Sequence, residues 1–162
     1  MPSILVVCTA NQFRSPLAAG LLRKELAALY DAGEWYINSA GTWTENGRPL
    51  PGITRQLARQ LGLEGIEYQV THSVNRELLG AADLIIVMEA NHKEALCFEF
   101  PEAASRIFML TEIAEEKTYD IPDPASSDTN ADEVVKELVR LITSGLPNIV
   151  QTARSLSKQR YL

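Results

Sequence analysis

The chain has 162 residues, the size of one domain, and 46% of them are apolar, which is enough for one sizeable core. Its formal net charge of −6 gives no reason to expect nucleic acid or an acidic membrane as a partner. Two cysteines do not make a disulfide framework, and no apolar stretch is long enough for a signal peptide or a membrane span. We therefore predict one cytoplasmic domain over residues 1–162.

The first predicted strand, residues 4–7, leads into a loop that carries a cysteine and an arginine six residues apart. Pro16 suits the first position of a helix and Ser15 suits its N-cap, so residues 16–30 are predicted to be helical. The loop at residues 9–15 therefore precedes a helix N-terminus. Backbone N–H groups at such a place have no helical partner and can converge on an anion.

The residue types in this loop predict phosphate chemistry. The donors that bind a phosphate dianion would also hold Cys8 as a thiolate, the form that attacks phosphorus. Arg14 has a planar guanidinium that matches two phosphate oxygens at once, and Ser15 can donate a hydrogen bond to the sulfur. This spacing is weak evidence by itself, but its setting between a strand and a helix strengthens it.

The rest of the chain continues to alternate strand-like and helix-like segments. Further strands are predicted at 35–39, 83–88 and 106–110, with helices at 53–61 and 91–98. A capping box formed by Asn130 and Glu133 starts a last helix, which the Gly-Leu-Pro sequence at 145–147 should end or kink. The alternation predicts an α/β three-layer sandwich, in which helices cover both faces of a parallel sheet and ligands lie at the carboxyl ends of strands.

Phosphoryl transfer also needs a proton donor for the leaving group, and Asp123 is the candidate. It lies in an Ile-Pro-Asp-Pro sequence at 121–124, with Asp120 and Asp128 as neighbouring competitors. The chain has 21 acidic residues, and a lone aspartate before a proline is usually an ordinary loop residue. Physical reasoning alone therefore leaves this assignment open.

Taken together, these motifs resemble those of the low-molecular-weight protein-tyrosine phosphatases. The signature of that family has the form Cys-x-Gly-Asn-x-Cys-Arg-Ser-Pro, and residues 8–16 are Cys-Thr-Ala-Asn-Gln-Phe-Arg-Ser-Pro. The general acid of the family lies in an Asp-Pro pair, which Asp123 and Pro124 match. The resemblance implies a four-stranded parallel sheet flanked by helices and a phosphatase that needs no metal or other cofactor.

The resemblance also implies what single residues do. Cys8 would form a phosphocysteine, Arg14 would hold the equatorial oxygens, and Asp123 would protonate the leaving oxygen and then accept a proton from water. Ser39 and His72 would support the loop, together with Ser15 and Asn11, whose residue type tolerates left-handed backbone. His92 has no match of this kind and is assigned no role. The predicted substrate-binding residues are Thr9, Ala10, Asn11, Gln12, Phe13, Ser15 and Trp43.

Several positions depart from the family pattern. Ala10 replaces a glycine, and alanine would cost about 1 kcal/mol or more if that position needed positive φ. Phe13 replaces the second cysteine, which leaves the nucleophile without a local disulfide partner. Ala125 stands where tyrosine-specific relatives often carry an aromatic residue, so Trp43 is the remaining candidate for an aromatic wall.

The leading prediction is a phosphomonoester hydrolase of the phosphotyrosine type, which acts on a phosphorylated protein or a small phosphomonoester and binds phosphate, sulfate or vanadate. Gln12 matches neither the apolar residue of tyrosine phosphatases nor the threonine of bacterial arginine phosphatases, so a protein-arginine phosphatase stays open. Ala10 and Ala125 also leave open a non-catalytic phosphate-binding module. An arsenate reductase is disfavoured, because it needs further cysteines to pass on a disulfide.

Overall fold

The computed structural model describes residues 1–30 and 34–162. Within these residues the strands form one parallel sheet with the spatial order β2-β1-β3-β4. The strands are β1 (Ser3–Cys8), β2 (Tyr36–Gly41), β3 (Leu84–Val87) and β4 (Ile107–Met109). The predicted four-stranded parallel α/β fold is confirmed, and each predicted strand is found with small shifts at its ends.

The helices connect the strands and cover the sheet. They are α1 (Arg14–Leu29), α2 (Gly52–Gln60), α3 (Arg76–Ala81), α4 (Ala90–Glu99), α5 (Leu110–Glu115) and α6 (Ala131–Arg160). The described residues also include the 3-10 turns Ile66–Tyr68 and Pro101–Arg106. The sequence pattern missed α3 and α5, because six residues are too few to show a helical period. No helix in the described part of the chain is long and apolar enough to cross a membrane.

Strand β1 is buried on both faces, because its alternate side chains enter two different cores. Ile4, Val6 and Cys8 belong to the core that contains α1 and α6. Leu5 and Val7 belong to the core on the opposite face, with residues of α3 and α4. This period of two places the Cys8 side chain on the α1 side of the sheet, at the carboxyl end of a central strand.

The first helix begins two residues earlier than predicted. Its N-cap position is Phe13, which makes no side-chain cap, and Ser15 lies inside the helix. The predicted N-cap role of Ser15 is therefore wrong, because its hydroxyl is occupied by side chains of the preceding loop. Pro16 is the third residue of the helix and is tolerated there, since the first backbone N–H groups of a helix have no partner to lose.

The last helix was predicted to end or kink at 145–147, but it runs through Pro147, so an end there is wrong. Buried residues on both sides, including Leu146 and Ile149, hold it against the core and outweigh the lost hydrogen bond. Asn130 caps this helix as predicted, but its side chain accepts from the backbone nitrogen of Asp132 at 2.7 Å and not from that of Glu133.

Candidate active site

Cys8 ends β1 and leads into the loop that the sequence singled out. It is 3% exposed, and its Sγ lies 3.0 Å from Ser15 Oγ, a contact in which either atom can donate. Because Cys8 is the last residue of β1, it stands at the carboxyl end of the parallel sheet, where α/β folds bind their ligands. The contact with Ser15 provides a hydroxyl donor for an ionised sulfur.

The side chain of Asn11 holds the loop in place through hydrogen bonds. Its backbone has φ 57°, the left-handed region, and the residue is completely buried. Its Nδ2 donates to Ser15 Oγ at 2.8 Å and to Ser39 Oγ at 2.9 Å, while its Oδ1 accepts from the His72 backbone nitrogen at 2.9 Å. The structure thus brings together the four residues expected to support the loop. His72 takes part through its backbone, and its ring is exposed.

Two further contacts hold the loop from β2 and α2. Gly41 is required by close approach, because a Cβ there would lie 2.5 Å from the carbonyl oxygen of Thr9. From the other side, Thr54 Oγ1 donates to the carbonyl of Gln12 at 2.6 Å. Among the described residues Asn11 is the only loop residue with positive φ, so the strain considered for Ala10 does not arise.

The loop leaves its backbone donors unpaired. The N–H groups of residues 10–13 donate to no acceptor within residues 1–30 and 34–162. They precede the N-terminus of α1, whose dipole favours negative charge. This arrangement provides a ring of backbone donors for an anion in a protein whose net charge is −6.

Arg14 is 2% exposed and is held in a fixed orientation. Its Nη1 donates to Glu89 Oε2 and to the carbonyl of Ile121, both at 2.7 Å. Its Nη2 makes only a 3.4 Å hydrogen bond to Thr9 Oγ1 and lies 3.8 Å from Asp123 Oδ2. The Nη1 side therefore anchors the guanidinium, while the Nη2 side is left to bind two anion oxygens.

Asp123 reaches the same place from a segment that precedes α6. Ile121 fixes this segment, because its N–H donates to the carbonyl of Met88 at 2.9 Å and its own carbonyl accepts from Arg14. The Asp123 side chain is 25% exposed, and its Oδ1 accepts from the Ala125 N–H at 2.9 Å. Its Oδ2 faces the guanidinium. Of the competing aspartates, Asp120 instead accepts from the backbone nitrogen of Ala90 at 2.8 Å.

A cavity of about 370 Å³ joins these groups. Its lining residues are Cys8, Ala10, Gln12, Phe13, Arg14, Pro51, Ile53, Thr54, Asp123, Pro124, Ala125 and Ala131. The three residues predicted to carry the chemistry therefore meet at one cavity, whose walls are mostly apolar.

The predicted substrate-binding residues divide into three groups. Ala10, Gln12 and Phe13 line the cavity, whereas Asn11 and Ser15 are completely buried and brace the loop. Thr9 does not line the cavity and bonds to His92, and Trp43 does not line it either. The Trp43 residue is 84% exposed, and its backbone nitrogen donates to the Thr9 carbonyl at 2.9 Å. The structure therefore does not support Trp43 as an aromatic wall.

Sequence reasoning missed Glu89 and His92. Glu89 is the N-cap of α4 and the ion-pair partner of Arg14, and it follows β3 at the ligand-binding edge of the sheet. His92 forms a capping box with Glu89 and is 3% exposed, although no role was assigned to it. The signal that could have found both is their spacing of three residues directly after a buried strand. No cluster of three or more potential metal ligands occurs among the described residues.

Comparison with known proteins identifies the family of this chain. The model of the low molecular weight phosphotyrosine protein phosphatases matches residues 3–160. The chain belongs to this family. Its members are cysteine-based phosphatases that work without a metal, and this protein is such a phosphatase.

Individual relatives include enzymes named for two different substrates. A probable low molecular weight protein-tyrosine-phosphatase, EpsP of Ralstonia nicotianae, is 29% identical over 91% of this chain and 95% of its own length. The low molecular weight protein tyrosine phosphatase of T. tengcongensis has a TM-score of 0.78 at 29% identity, over 93% of this chain and 99% of its own. The YwlE arginine phosphatase of Geobacillus stearothermophilus has a TM-score of 0.79 at 28% identity, over 94% of each chain.

Proposed function

We propose that this phosphatase hydrolyses aryl phosphate esters, protein phosphotyrosine foremost, through a phosphocysteine on Cys8. One observation carries the proposal. Cys8, Arg14 and Asp123 line the same cavity of about 370 Å³, together with loop residues whose backbone N–H groups are unpaired among the described residues.

In the first step the Cys8 thiolate attacks phosphorus, so that a sulfur–phosphorus bond forms while the bond to the leaving oxygen breaks. Asp123 gives its proton to that oxygen. The loop N–H groups and Arg14 hold the three remaining oxygens as charge develops on them. In the second step Asp123 takes a proton from a water molecule that attacks phosphorus, and the sulfur leaves as thiolate with release of inorganic phosphate.

The cavity walls favour a phenyl ring over a guanidinium as the leaving group. Phe13, Pro51, Ile53 and Pro124 are among the lining residues, and Asp123 is the one acidic side chain of the lining. A cationic guanidinium entering an apolar cavity would need carboxylate partners, whereas an aromatic ring is stabilised by the apolar walls. Ala125, which stands where tyrosine-specific relatives often carry an aromatic residue, leaves room in the cavity for the substrate.

We further propose that the enzyme works in the cytoplasm, because the reaction needs a reduced thiol. Cys8 and Cys97 are both free, and Cys97 packs partly buried against the core on the other sheet face. A reducing compartment keeps such thiols available.

Parallel turnover assays with a phosphotyrosine peptide and a phosphoarginine peptide of the same sequence test the substrate. We expect hydrolysis of both to disappear in Cys8→Ser and to persist in the matched control Cys97→Ser. We expect kcat/KM for phosphotyrosine to exceed that for phosphoarginine by roughly 100-fold or more. A preference for phosphoarginine would transfer the assignment to an arginine phosphatase. Phosphate binding without turnover of either peptide would contradict catalysis altogether.

A further inference from the structure

A buried pair behind the loop, His92 and Thr9, is unused by the steps above. His92 Nε2 lies 2.8 Å from Thr9 Oγ1, and His92 Nδ1 lies 3.1 Å from the backbone nitrogen of Glu89. Because a backbone N–H only donates, Nδ1 must be the unprotonated, accepting nitrogen. These partners therefore assign the ring hydrogen to Nε2, which donates it to Thr9 Oγ1.

The surroundings keep the ring neutral. His92 is 3% exposed, and this burial lowers its pKa to about 4. Arg14 adds to the lowering, while the carboxylates of Glu89, Asp120 and Asp123 oppose it. The nearest of these, Glu89 Oε2, lies 3.4 Å from Nε2 and also accepts from Arg14. A protonated ring would carry a hydrogen on Nδ1 against the N–H of Glu89 and would draw this carboxylate away from Arg14.

Thr9 is consequently fixed at three points. Its hydroxyl oxygen accepts from His92 and, at 3.4 Å, from Arg14 Nη2. Its carbonyl accepts from the backbone nitrogen of Trp43 at 2.9 Å. The residue that directly follows Cys8 thus has both its side chain and its backbone oriented, and His92 supplies the shortest of these bonds.

We propose that His92 is a positioning residue of the phosphate-binding loop. Its neutral ring joins the N-terminus of α4 to the loop, and its two nitrogens hold Glu89 and Thr9, two of the residues that contact the Arg14 guanidinium. Loss of the bond to Thr9 frees that hydroxyl to rotate and removes one constraint on the guanidinium. This inference rests on the proposed function and deepens it at the same site.

Two substitutions of His92 each keep one of its two hydrogen bonds and remove the other. In His92→Asn the amide oxygen replaces Nδ1 and accepts from Glu89, but the side chain is too short to reach Thr9. In His92→Gln the amide nitrogen replaces Nε2 and donates to Thr9, while the Glu89 N–H loses its partner. We expect His92→Gln to keep kcat/KM for an aryl phosphate within about threefold of wild type. We expect His92→Asn to lower it about tenfold and to raise the inhibition constant of inorganic phosphate by a similar factor.

Thr9→Val provides the second half of the test. If His92 acts through the Thr9 hydroxyl, His92→Asn has no further effect in the Thr9→Val background, because both changes remove the same bond. Leu96→Ala is the matched control, since Leu96 is buried on α4 but packs in the core on the other sheet face. We expect it to lower the free energy of unfolding while leaving phosphate inhibition unchanged.

The outcomes distinguish this inference from the proposed function. A full-length wild-type enzyme that turns over while His92→Asn shows unchanged phosphate inhibition would refute the positioning role alone. A greater loss of kcat/KM in His92→Gln than in His92→Asn would refute it as well, and would show that His92 acts as a cap of α4. Absence of turnover in the wild type would refute the proposed function itself.

Discussion

The two sides of the cavity are built in different ways. On the loop side, Asn11, Arg14 and Ser15 are at most 2% exposed, and their contacts join β2, α1, α4 and the chain before α6. On the acid side, Asp123 has a 25% exposed side chain, and its contacts to Ala125, Ser126 and Ser127 are local.

This difference matches the tasks of the two sides. An anion site gains most when its donors are already in place, because no energy is then spent on orienting them during the reaction. A group that gives up a proton and takes one back must instead contact both the leaving group and water. In the proposed mechanism, the buried side of the cavity therefore binds the phosphate and the more exposed side transfers the proton.

Removal of the proton donor should produce the largest difference between the two sides. Asp123→Asn keeps an oxygen to accept from the Ala125 N–H but has no acidic proton to give. We expect kcat to fall by roughly 10² to 10⁴ for phenyl phosphate, a poor leaving group, and by far less for para-nitrophenyl phosphate. Inhibition by inorganic phosphate should stay within about threefold of wild type. Equal losses for the two esters would remove Asp123 from the proton-donor role.

A substitution that strains the loop side of the cavity should give the next largest effect. In Gly41→Ala the new Cβ meets the Thr9 carbonyl, a backbone atom that cannot move alone. We expect kcat/KM to fall by roughly 100-fold, because displacement of the donors by even 1 Å is costly, with a loss of about 1–3 kcal/mol in unfolding free energy.

Gly80→Ala is the matched control, since a Cβ at Gly80 meets no atom within 4 Å. Its activity should equal that of the wild type. Full activity of Gly41→Ala would show that the close approach of β2 to the loop does not affect catalysis.

The smallest effect concerns the stability of the loop side at acid pH. The folded-state pKa of His92 is lowered from 6.5 to about 4, so the unfolded chain binds this proton first as the pH falls. The effect is absent above the unfolded value and grows as the pH falls from 6.5 towards 4. We expect the wild type to lose about 2 kcal/mol more unfolding free energy than His92→Gln between pH 7.5 and pH 5. Parallel pH dependences in urea denaturation would contradict this.

Much of the fold was predictable because its signals are local. Four short apolar runs separated by helix-like segments predicted the parallel sheet, and the Cys8–Arg14 spacing located the loop. The limits of this reasoning appear at Ser15 and Pro147. Their local propensities favour a cap and a helix break, yet a side-chain network captures the first and a buried helix face carries the second through.

The missed parts of the site depend on contacts between residues far apart in the chain. Glu89 pairs with Arg14 across 75 positions, and His92 reaches Thr9 across 83. No periodicity indicates such pairings, and the spacing of Glu89 and His92 after β3 indicates a helix cap without indicating which distant residues the two side chains contact. Trp43 shows the converse, because this aromatic residue, which follows β2, is 84% exposed and outside the cavity lining.

Trapping of the covalent intermediate tests the central claim most directly. Wild-type enzyme mixed with excess phosphotyrosine peptide and quenched in acid within its first turnovers should carry one phosphoryl group, which peptide mass spectrometry should place on Cys8. Cys8→Ser should form no thiol-linked phosphate, and Cys97→Ser should label like the wild type. Turnover accompanied by an unmodified Cys8, or by phosphate attached to another residue, would contradict the account.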